Sequence, residues 1–239
     1  MFGVGGLIVG LFLFPLVSLL IWNLQKREKV GQYLIHMLFR FFVEMMRFLG
    51  IMDYKIEGLD KLNDPQGSLV IANHPTLVDV VLLIAFMPKV DCVVKSALMR
   101  NPVMIGPIKA ANYIVNSDPE ALIESCSKRL RAGNSLIIFP EGTRTKPGKD
   151  LKFQRGAAGI ALRANARITP VTINCEPLTL TKSNKWYQVP PRKFVITMQV
   201  KDVLDLDEII ENKEPASRAA RHLTSFLQDY FTKEAAIHE

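Results

Sequence analysis

The stretch "LVIANHPTLVDVVLL", Leu69 to Leu83, joins two apolar runs through a short polar segment. The first run is typical of a buried β-strand and the second of a buried helix. Pro75 disfavours a helical backbone at His74, and it is itself suited to the first position of a helix. The stretch therefore predicts a strand that ends near His74, followed by a helix whose second turn carries Asp79.

Short apolar runs and amphipathic segments alternate along the rest of the chain. Strands are predicted at 68–73, 90–95, 112–116, 135–140, 168–174 and 193–201, and helices at 76–87, 118–132, 155–166 and 215–232. Because strand and helix alternate, we expect an α/β domain with a largely parallel central sheet flanked by helices.

The N-terminal region is strongly apolar. Residues 2–22 contain no ionisable side chain, and as a helix they would extend about 30 Å, the hydrocarbon thickness of a bilayer. A second segment, Tyr33 to Met52, is amphipathic, since polar residues recur on one helical face. Two interpretations stay open for it: a helix packed on the domain, or a helix in the membrane interface that forms a hairpin with the first.

We therefore expect residues 1–52 to form an N-terminal hydrophobic two-helix membrane motif ahead of an α/β domain at 53–239. Whether the first helix spans the membrane or dips into one leaflet is left open. Lys26, Arg27 and Lys29 follow the apolar run, so the positive-inside rule places the domain on the cytoplasmic side of the inner membrane.

The formal net charge of +7 at pH 7 indicates an anionic partner. The lysines and arginines are dispersed and concentrate near the apolar segments, which does not favour nucleic acid. The three cysteines and four histidines lack the spacing of metal ligands, so no metal site is expected.

His74 and Asp79 combine an imidazole and a carboxylate in an apolar stretch. Helical side chains lean towards the N-terminus, which points Asp79 back at the loop holding His74. A carboxylate that accepts one imidazole proton leaves the other nitrogen free as a base. No serine or cysteine nucleophile is marked out nearby, which favours direct deprotonation of a substrate hydroxyl. The alternative is that His74 caps the helix and Asp79 interacts with the helix dipole.

A second polar constellation follows the strand predicted at 135–140. Glu141, Gly142, Thr143 and Arg144 come directly after it, at the carboxyl end of a strand, where open α/β sheets bind ligands. The guanidinium of Arg144 suits phosphate, and Glu141 is placed to hold Arg144 or a substrate hydroxyl. Taken alone, the segment is also compatible with an ordinary polar turn.

Further along, Lys152 and Arg155 precede "GAAGIAL", residues 156–162. The small residues of this run let the N-terminus of a helix approach a ligand or another backbone closely.

Four ordered motifs, "NHPTLVD", "FPEGTRT", "KFQRGAAGIA" and "ITPVTI", resemble those of the glycerolipid acyltransferase family over about residues 55–200. Its best-known members are the 1-acylglycerol-3-phosphate acyltransferases. The resemblance implies transfer of a fatty acyl group from a thioester of acyl carrier protein or coenzyme A to a lysophospholipid hydroxyl. The implied acceptor is 1-acyl-glycerol-3-phosphate, which gives phosphatidic acid, and no metal or redox cofactor is needed.

The resemblance also implies roles for individual residues. His74 is expected to be the general base and Asp79 its orienting partner, while Pro170 helps to shape the acyl-donor or lipid pocket. The residues assigned to substrate binding are Asn73, Lys95, Glu141, Gly142, Thr143, Arg144, Lys152, Arg155 and Pro170.

One motif departs from the family pattern. The segment at 95–118 supplies Lys95 but has Asn116 where the family commonly has an arginine. Lys95, Lys109 or Arg155 would then bind an acceptor phosphate, or the acceptor is a different lipid or hydroxylated molecule. A competing function of another class is a membrane-anchored protein that binds lipid without turnover, although such a protein has no need of a base.

Overall fold

The computed structural model describes residues 9–116, 118–145, 150–184, 190–210 and 215–236. The strands are β1 (Met52–Glu57), β2 (Leu69–Ala72), β3 (Asp91–Lys95), β4 (Ile114–Asn116), β5 (Leu136–Ile138), β6 (Ile168–Glu176) and β7 (Phe194–Val200). The α-helices are α1 (Phe14–Leu20), α2 (Leu24–Phe48), α3 (Asp79–Phe86), α4 (Pro102–Ala110), α5 (Pro119–Arg131), α6 (Gly156–Ala164), α7 (Leu206–Ile209) and α8 (Ala216–Ala236).

The described strands form one sheet in the order β1-β7-β6-β2-β5-β3-β4. All neighbouring pairs are parallel except β6 and β7, which are antiparallel. Strand β2 lies between β5 and β6, with Leu69 in register with both Leu136 and Ile168. The predicted α/β fold with a largely parallel sheet is confirmed, and the carboxyl ends of β2, β3, β4, β5 and β6 meet at one edge.

Helices cover both faces of the sheet. Successive side chains of a strand point to opposite faces, so Val70 and Ala72 join the core beneath α2 and α3. Leu69 and Ile71 join a second core formed with α5, α6 and α8. Because β2 contributes to both cores, it is fully buried, which explains the uninterrupted apolar run in its sequence.

Three of these strands and α-helices were not predicted from the sequence: β1, α4 and the four-residue helix α7. Strand β1 pairs in parallel with β7 at the edge of the sheet, and its polar residues at 53, 55 and 57 break up the apolar signal. Helix α4 begins at Pro102, and the side chain of Asn101 accepts a hydrogen bond from the backbone N–H of Val103. A proline at the first helical position after an asparagine cap is a recognisable start signal.

The boundaries of the N-terminal helices differ from the prediction. A π-helical segment, Val9–Leu13, leads into α1, and the chain leaves helical geometry at residues 21–23. Helix α2 starts at Leu24 rather than Tyr33, because the side chain of Asn23 caps it by accepting from the Lys26 N–H at 3.0 Å. Among the helices described, none is both long and apolar enough to cross a membrane.

Helix α2 packs on the α/β domain through the polar residues predicted to share one face. The Nδ1–H of His36 donates to the carbonyl of Ile84 at 2.9 Å, and the guanidinium of Arg40 lies 4.3 Å from the ring centroid of Phe86. The hydroxyl of Tyr54 donates to Glu44 at 2.7 Å. Three contacts thus fix α2 against the C-terminal end of α3 and against β1.

A different face of α2 is apolar and open to solvent. Its exposed residues, spaced by three, four and seven, are Val30, Tyr33, Met37, Phe41 and Phe48. We call these five residues the apolar stripe. The helix therefore packs on the domain and at the same time presents an apolar surface, so the two interpretations of this segment are compatible with each other.

A buried polar cluster also joins α2 to the domain. The carboxylate of Asp91, at the start of β3, accepts from the side chains of Gln32 at 3.0 Å and Asn134 at 3.1 Å. Arg129 forms an ion pair with Glu28 and lies 3.7 Å from Asp91. Burial raises the pKa of Asp91 to about 6 despite the nearby guanidinium. Because Glu28 and Gln32 both belong to α2, the cluster specifies where this helix docks.

A substitution at Gly31 of α2 tests this docking, because a Cβ at that position would lie 2.6 Å from the backbone of Ala110 in α4. We expect Gly31→Ala to lower the free energy of unfolding by roughly 1–2 kcal/mol, since forced separation of two helices outweighs the gain in helix propensity. Chemical denaturation in detergent measures the change. Gly156→Ala is the control, because nothing lies within 4 Å of a Cβ at Gly156. Equal stability of the two variants would contradict the tight approach.

Candidate active site

The site begins where β2 leaves the sheet. The Asn73 side chain donates to the Ile173 carbonyl at 2.8 Å and accepts from the Ile173 N–H at 2.7 Å. It thus continues by one residue the parallel pairing between β2 and β6. Asn73 was assigned to substrate binding, and the structure places both polar atoms of its amide on the main chain of β6.

His74 and Asp79 form the predicted pair. Nδ1 of His74 lies 2.9 Å from Oδ2 of Asp79, and since a carboxylate accepts, Nδ1 carries the proton. The Asp79 side chain is fully buried, whereas that of His74 is 18% exposed. This contact fixes the imidazole tautomer and leaves Nε2 as the basic nitrogen. No hydrogen bond to Nε2 occurs within the described ranges.

Thr76 completes the environment of Asp79. Its N–H donates to Oδ2 at 2.7 Å, and its hydroxyl donates to Oδ1. Burial raises the pKa of Asp79, while the hydrogen bonds from His74 and Thr76 act in the opposite direction. Residues 76–78 form a turn, so α3 begins at Asp79, and this residue lies in the first turn of the helix rather than in the predicted second turn.

The other side of His74 contacts the segment after β5. The rings of His74 and Phe139 stack with centroids 4.2 Å apart. The backbone N–H of His74 donates to Oε1 of Glu141 at 2.8 Å, and its carbonyl accepts from the N–H of Thr145 at 3.1 Å. The two sequence motifs thus meet at His74, as expected for neighbouring parallel strands that end at one edge.

Glu141 is buried and bound on both oxygens. Besides the His74 N–H on Oε1, the hydroxyl of Thr145 donates to Oε2. Burial raises the pKa of Glu141 to about 7, although the hydrogen bonds from the backbone favour its charged form. Glu141 therefore contacts His74 and Thr145, and it does not hold Arg144, which was one of the two roles considered for it.

Arg144 extends away from Glu141 towards the loop after β6. Its Nη1 donates to the carbonyls of Leu180 and Thr181, both at 2.9 Å. Gly142 makes this turn possible with φ +68°, a value that favours glycine. Thr143, which lies between Gly142 and Arg144 in the chain, is half-buried.

The remaining predicted residues lie around this centre. Lys95 ends β3, is exposed, and stands in register with Asn116 of β4 at the same sheet edge. Lys152 and Arg155 are exposed ahead of α6, and Pro170 is buried in β6 opposite Ile71. Within the described ranges, none of Lys95, Lys152, Arg155 and Pro170 forms a side-chain hydrogen bond with His74 or Asp79.

Three residues of the site were not found from the sequence: Thr76, Phe139 and Thr145. The pattern Thr76-x-x-Asp79 is a capping-box type of signal and could have identified Thr76. Phe139 and Thr145 begin and end the "FPEGTRT" motif. Their contacts with His74 could not be predicted from it, because these contacts cross from one strand end to the next.

A family model described as Acyltransferase matches residues 53–174, which contain the whole His74, Asp79 and Glu141 arrangement. The chain belongs to the acyltransferase family. The predicted membership is thereby confirmed, and the matched segment begins within β1 and ends within β6.

Several relatives in this family carry the same description. The chain is 32% identical to a 1-acyl-sn-glycerol-3-phosphate acyltransferase of Cocos nucifera, over 74% of this chain and 61% of the relative. It is 29% identical to one of Helicobacter pylori, over 61% of this chain and 65% of the relative. The matches thus span less than two thirds of either relative's length.

A solved structure shares the fold. The crystal structure of the 1-acyl-sn-glycerophosphate (LPA) acyltransferase PlsC from Thermotoga maritima superimposes with a TM-score of 0.66 and 21% sequence identity. The superposition covers 93% of this chain and 90% of that one. The two proteins therefore share a fold over nearly the whole length of both chains.

The raised pKa of Glu141 predicts a pH effect on stability. The Glu141 carboxyl stays protonated up to about pH 7 in the folded protein, but only up to about pH 4.5 in the unfolded chain. The contribution of this bound proton to the free energy of unfolding is therefore full below pH 4.5 and is lost as the pH rises through 7. We expect the advantage of the wild type over Glu141→Gln in free energy of unfolding to fall by roughly 2–3 kcal/mol between pH 4.5 and 8. Denaturation curves of both proteins across this range measure it. Parallel pH dependences would contradict the raised pKa.

Proposed function

We propose that this protein transfers a fatty acyl group from a thioester to the hydroxyl of 1-acyl-sn-glycerol-3-phosphate and so forms phosphatidic acid. The observation that carries the proposal is the contact between Nδ1 of His74 and the buried carboxylate of Asp79, which leaves Nε2 as a base at the sheet edge. The descriptions of the relatives support the choice of acceptor.

In the proposed reaction, Nε2 of His74 takes the proton of the acceptor hydroxyl while the oxygen of that hydroxyl attacks the thioester carbonyl. The C–S bond then breaks, and the thiolate leaves and takes the proton from the imidazolium. Asp79 stabilises the imidazolium through Nδ1. A thioester is already activated, so one base in the correct position accounts for the step without a covalent enzyme intermediate.

The acceptor phosphate has two cationic partners in this proposal. Nη1 of Arg144 donates to two carbonyls of the loop after β6. In this proposal, the N–H groups on Nε and Nη2 donate to the phosphate. Lys95 lies in register with Asn116, so it offers a cation at the sheet edge where the family commonly has an arginine. The departure at Asn116 is thus compatible with a phosphate-bearing acceptor, provided that Lys95 supplies the missing charge.

His74→Ala tests the assignment of the base. We expect kcat to fall by about 10²- to 10⁴-fold, because the variant lacks the group that accepts the hydroxyl proton, while the protein stays folded. The assay offers acyl carrier protein and coenzyme A thioesters in parallel, with acceptors that have and lack the phosphate, and identifies products by mass. His222→Ala, on the exposed side of α8, is the matched control.

Three outcomes of this assay would contradict the proposal. Substantial activity of pure His74→Ala would exclude His74 as the base. A preference for acceptors without phosphate would mean that the protein acts on another lipid or hydroxylated molecule. Tight lipid binding without any product would identify the non-catalytic lipid-binding alternative.

We also propose that the N-terminal helices dock the domain on the cytoplasmic face of the inner membrane. Among the described residues, only Leu77 and Leu178 of the large exposed apolar side chains lie outside residues 11–49. Most of the others lie in the apolar stripe of α2, in α1 or in the π-helical segment, and Trp22, Leu24 and Leu49 lie at the ends of α2 and in the junction before it. An apolar surface of this extent is a typical membrane or protein contact.

The flanking charges favour a membrane as the partner. Trp22 is 85% exposed beside Lys26 and Lys29 at the junction of α1 and α2. Tryptophan and lysine are the residues that anchor helices at the surface of an anionic leaflet. A lysophospholipid acceptor lives in that leaflet, so docking would bring the enzyme to its substrate.

Vesicle sedimentation tests the docking. We expect the wild type to bind vesicles that contain anionic lipid and to stay bound in high salt, because apolar contacts dominate. Replacing Phe41 and Phe48 by serine should abolish the fraction of protein that stays on the vesicles in high salt. Each aromatic ring that is no longer buried in the lipid lowers the binding free energy by about 2–3 kcal/mol. Leu178→Ser, also exposed but outside residues 11–49, is the control. Equal loss with the control would contradict docking through the apolar stripe.

A further inference from the structure

The main chain of His74 is held on both sides by one turn. Its N–H donates to the side chain of Glu141, and its carbonyl accepts from the backbone of Thr145. Both partners belong to the segment that follows β5, whereas the imidazole is held by Asp79 from α3. The position of the imidazole thus depends on contacts from two separate elements.

Thr145 has two roles in this arrangement. Its N–H binds the His74 carbonyl, and its hydroxyl donates to the second oxygen of Glu141, whose first oxygen binds the His74 N–H. The three residues therefore form a closed ring of hydrogen bonds. Glu141 is only 7% exposed, so water has little access to replace the hydroxyl of Thr145.

We propose that Thr145 is a positioning residue: its hydroxyl orients the Glu141 carboxylate, which in turn holds the His74 backbone so that Nε2 faces the acceptor hydroxyl. The inference rests on the proposed function for the role of His74, but the structural link from Thr145 to His74 does not. It also assigns Glu141 a task other than acceptor binding.

The geometry indicates why a single hydroxyl matters. His74 follows the last residues of β2 and precedes Pro75, so its own N–H has no partner in the sheet ladder and binds Glu141 instead. Without the Thr145 hydroxyl, the Glu141 carboxylate loses the side-chain donor on Oε2, and it then holds the His74 N–H less firmly. Displacement of a catalytic group by about 1 Å lowers the rate by up to 10²-fold.

The test compares Thr145→Val, which keeps the shape and removes the hydroxyl, with Thr145→Ser, which keeps the hydroxyl. We expect Thr145→Val to lower kcat by about 10- to 100-fold with the KM values for donor and acceptor changed less than about threefold. Thr145→Ser should recover most of the lost rate. Thr224→Val is the control, since the Thr224 hydroxyl donates to the Ala220 carbonyl within α8.

A second readout does not need turnover. In protein labelled with ¹⁵N-histidine, the Nδ1–H signal of His74 should be sharp in the wild type, broadened in Thr145→Val and sharp again in Thr145→Ser. If the wild type transfers no acyl group, the proposed function fails, and the NMR comparison still decides whether Thr145 holds His74.

Two results would overturn the inference. One is a Thr145→Val protein with wild-type kcat and an unchanged His74 signal. The other is a higher acceptor KM with unchanged kcat, which would place Thr145 in acceptor binding. If Thr145→Val does not fold, Glu141→Ala takes its place, with the same expected loss of kcat at constant acceptor KM.

Discussion

The buried carboxylate of Asp79 is the constraint on which the site depends. An ionised group without access to water is costly unless hydrogen bonds satisfy it, and here the imidazole of His74 and both donors of Thr76 do so. In the observed conformation, the loop from His74 to Asp79 brings all three donors to the carboxylate. Because the loop starts at a central strand and ends in a buried helix, the sheet and the site specify each other.

Much of this arrangement could be predicted from the sequence. The apolar run of β2 identifies a strand buried on both faces, and the parallel order of strands brings His74 and Glu141 to one edge. The sequence does not reveal that Phe139 stacks on the imidazole or that Thr145 closes the hydrogen-bond ring. The contacts of Phe139 and Thr145 with His74 join residues from different strand ends, and local periodicity carries no information about them.

The N-terminal region shows a different limit of sequence-based prediction. Its apolar content is plain, but the break between α1 and α2 depends on the Asn23 cap, and the docking of α2 depends on a buried cluster around Asp91. Polar residues on α2 were compatible with either a membrane surface or a protein contact. In the structure Arg40 and Glu44 bind the domain while the apolar stripe stays exposed, so one helix faces two environments. The division of the chain into residues 1–52 and 53–239 stays a prediction.

Helix α3 has a consequence beyond packing, because it touches α2 at one end and carries Asp79 at the other. His36 binds the carbonyl of Ile84, near the C-terminus of α3. Eight residues at 1.5 Å each make this helix about 12 Å long. In the proposed docking on a membrane, α3 would therefore be the rigid connection between the docked helix α2 and the loop that carries the base.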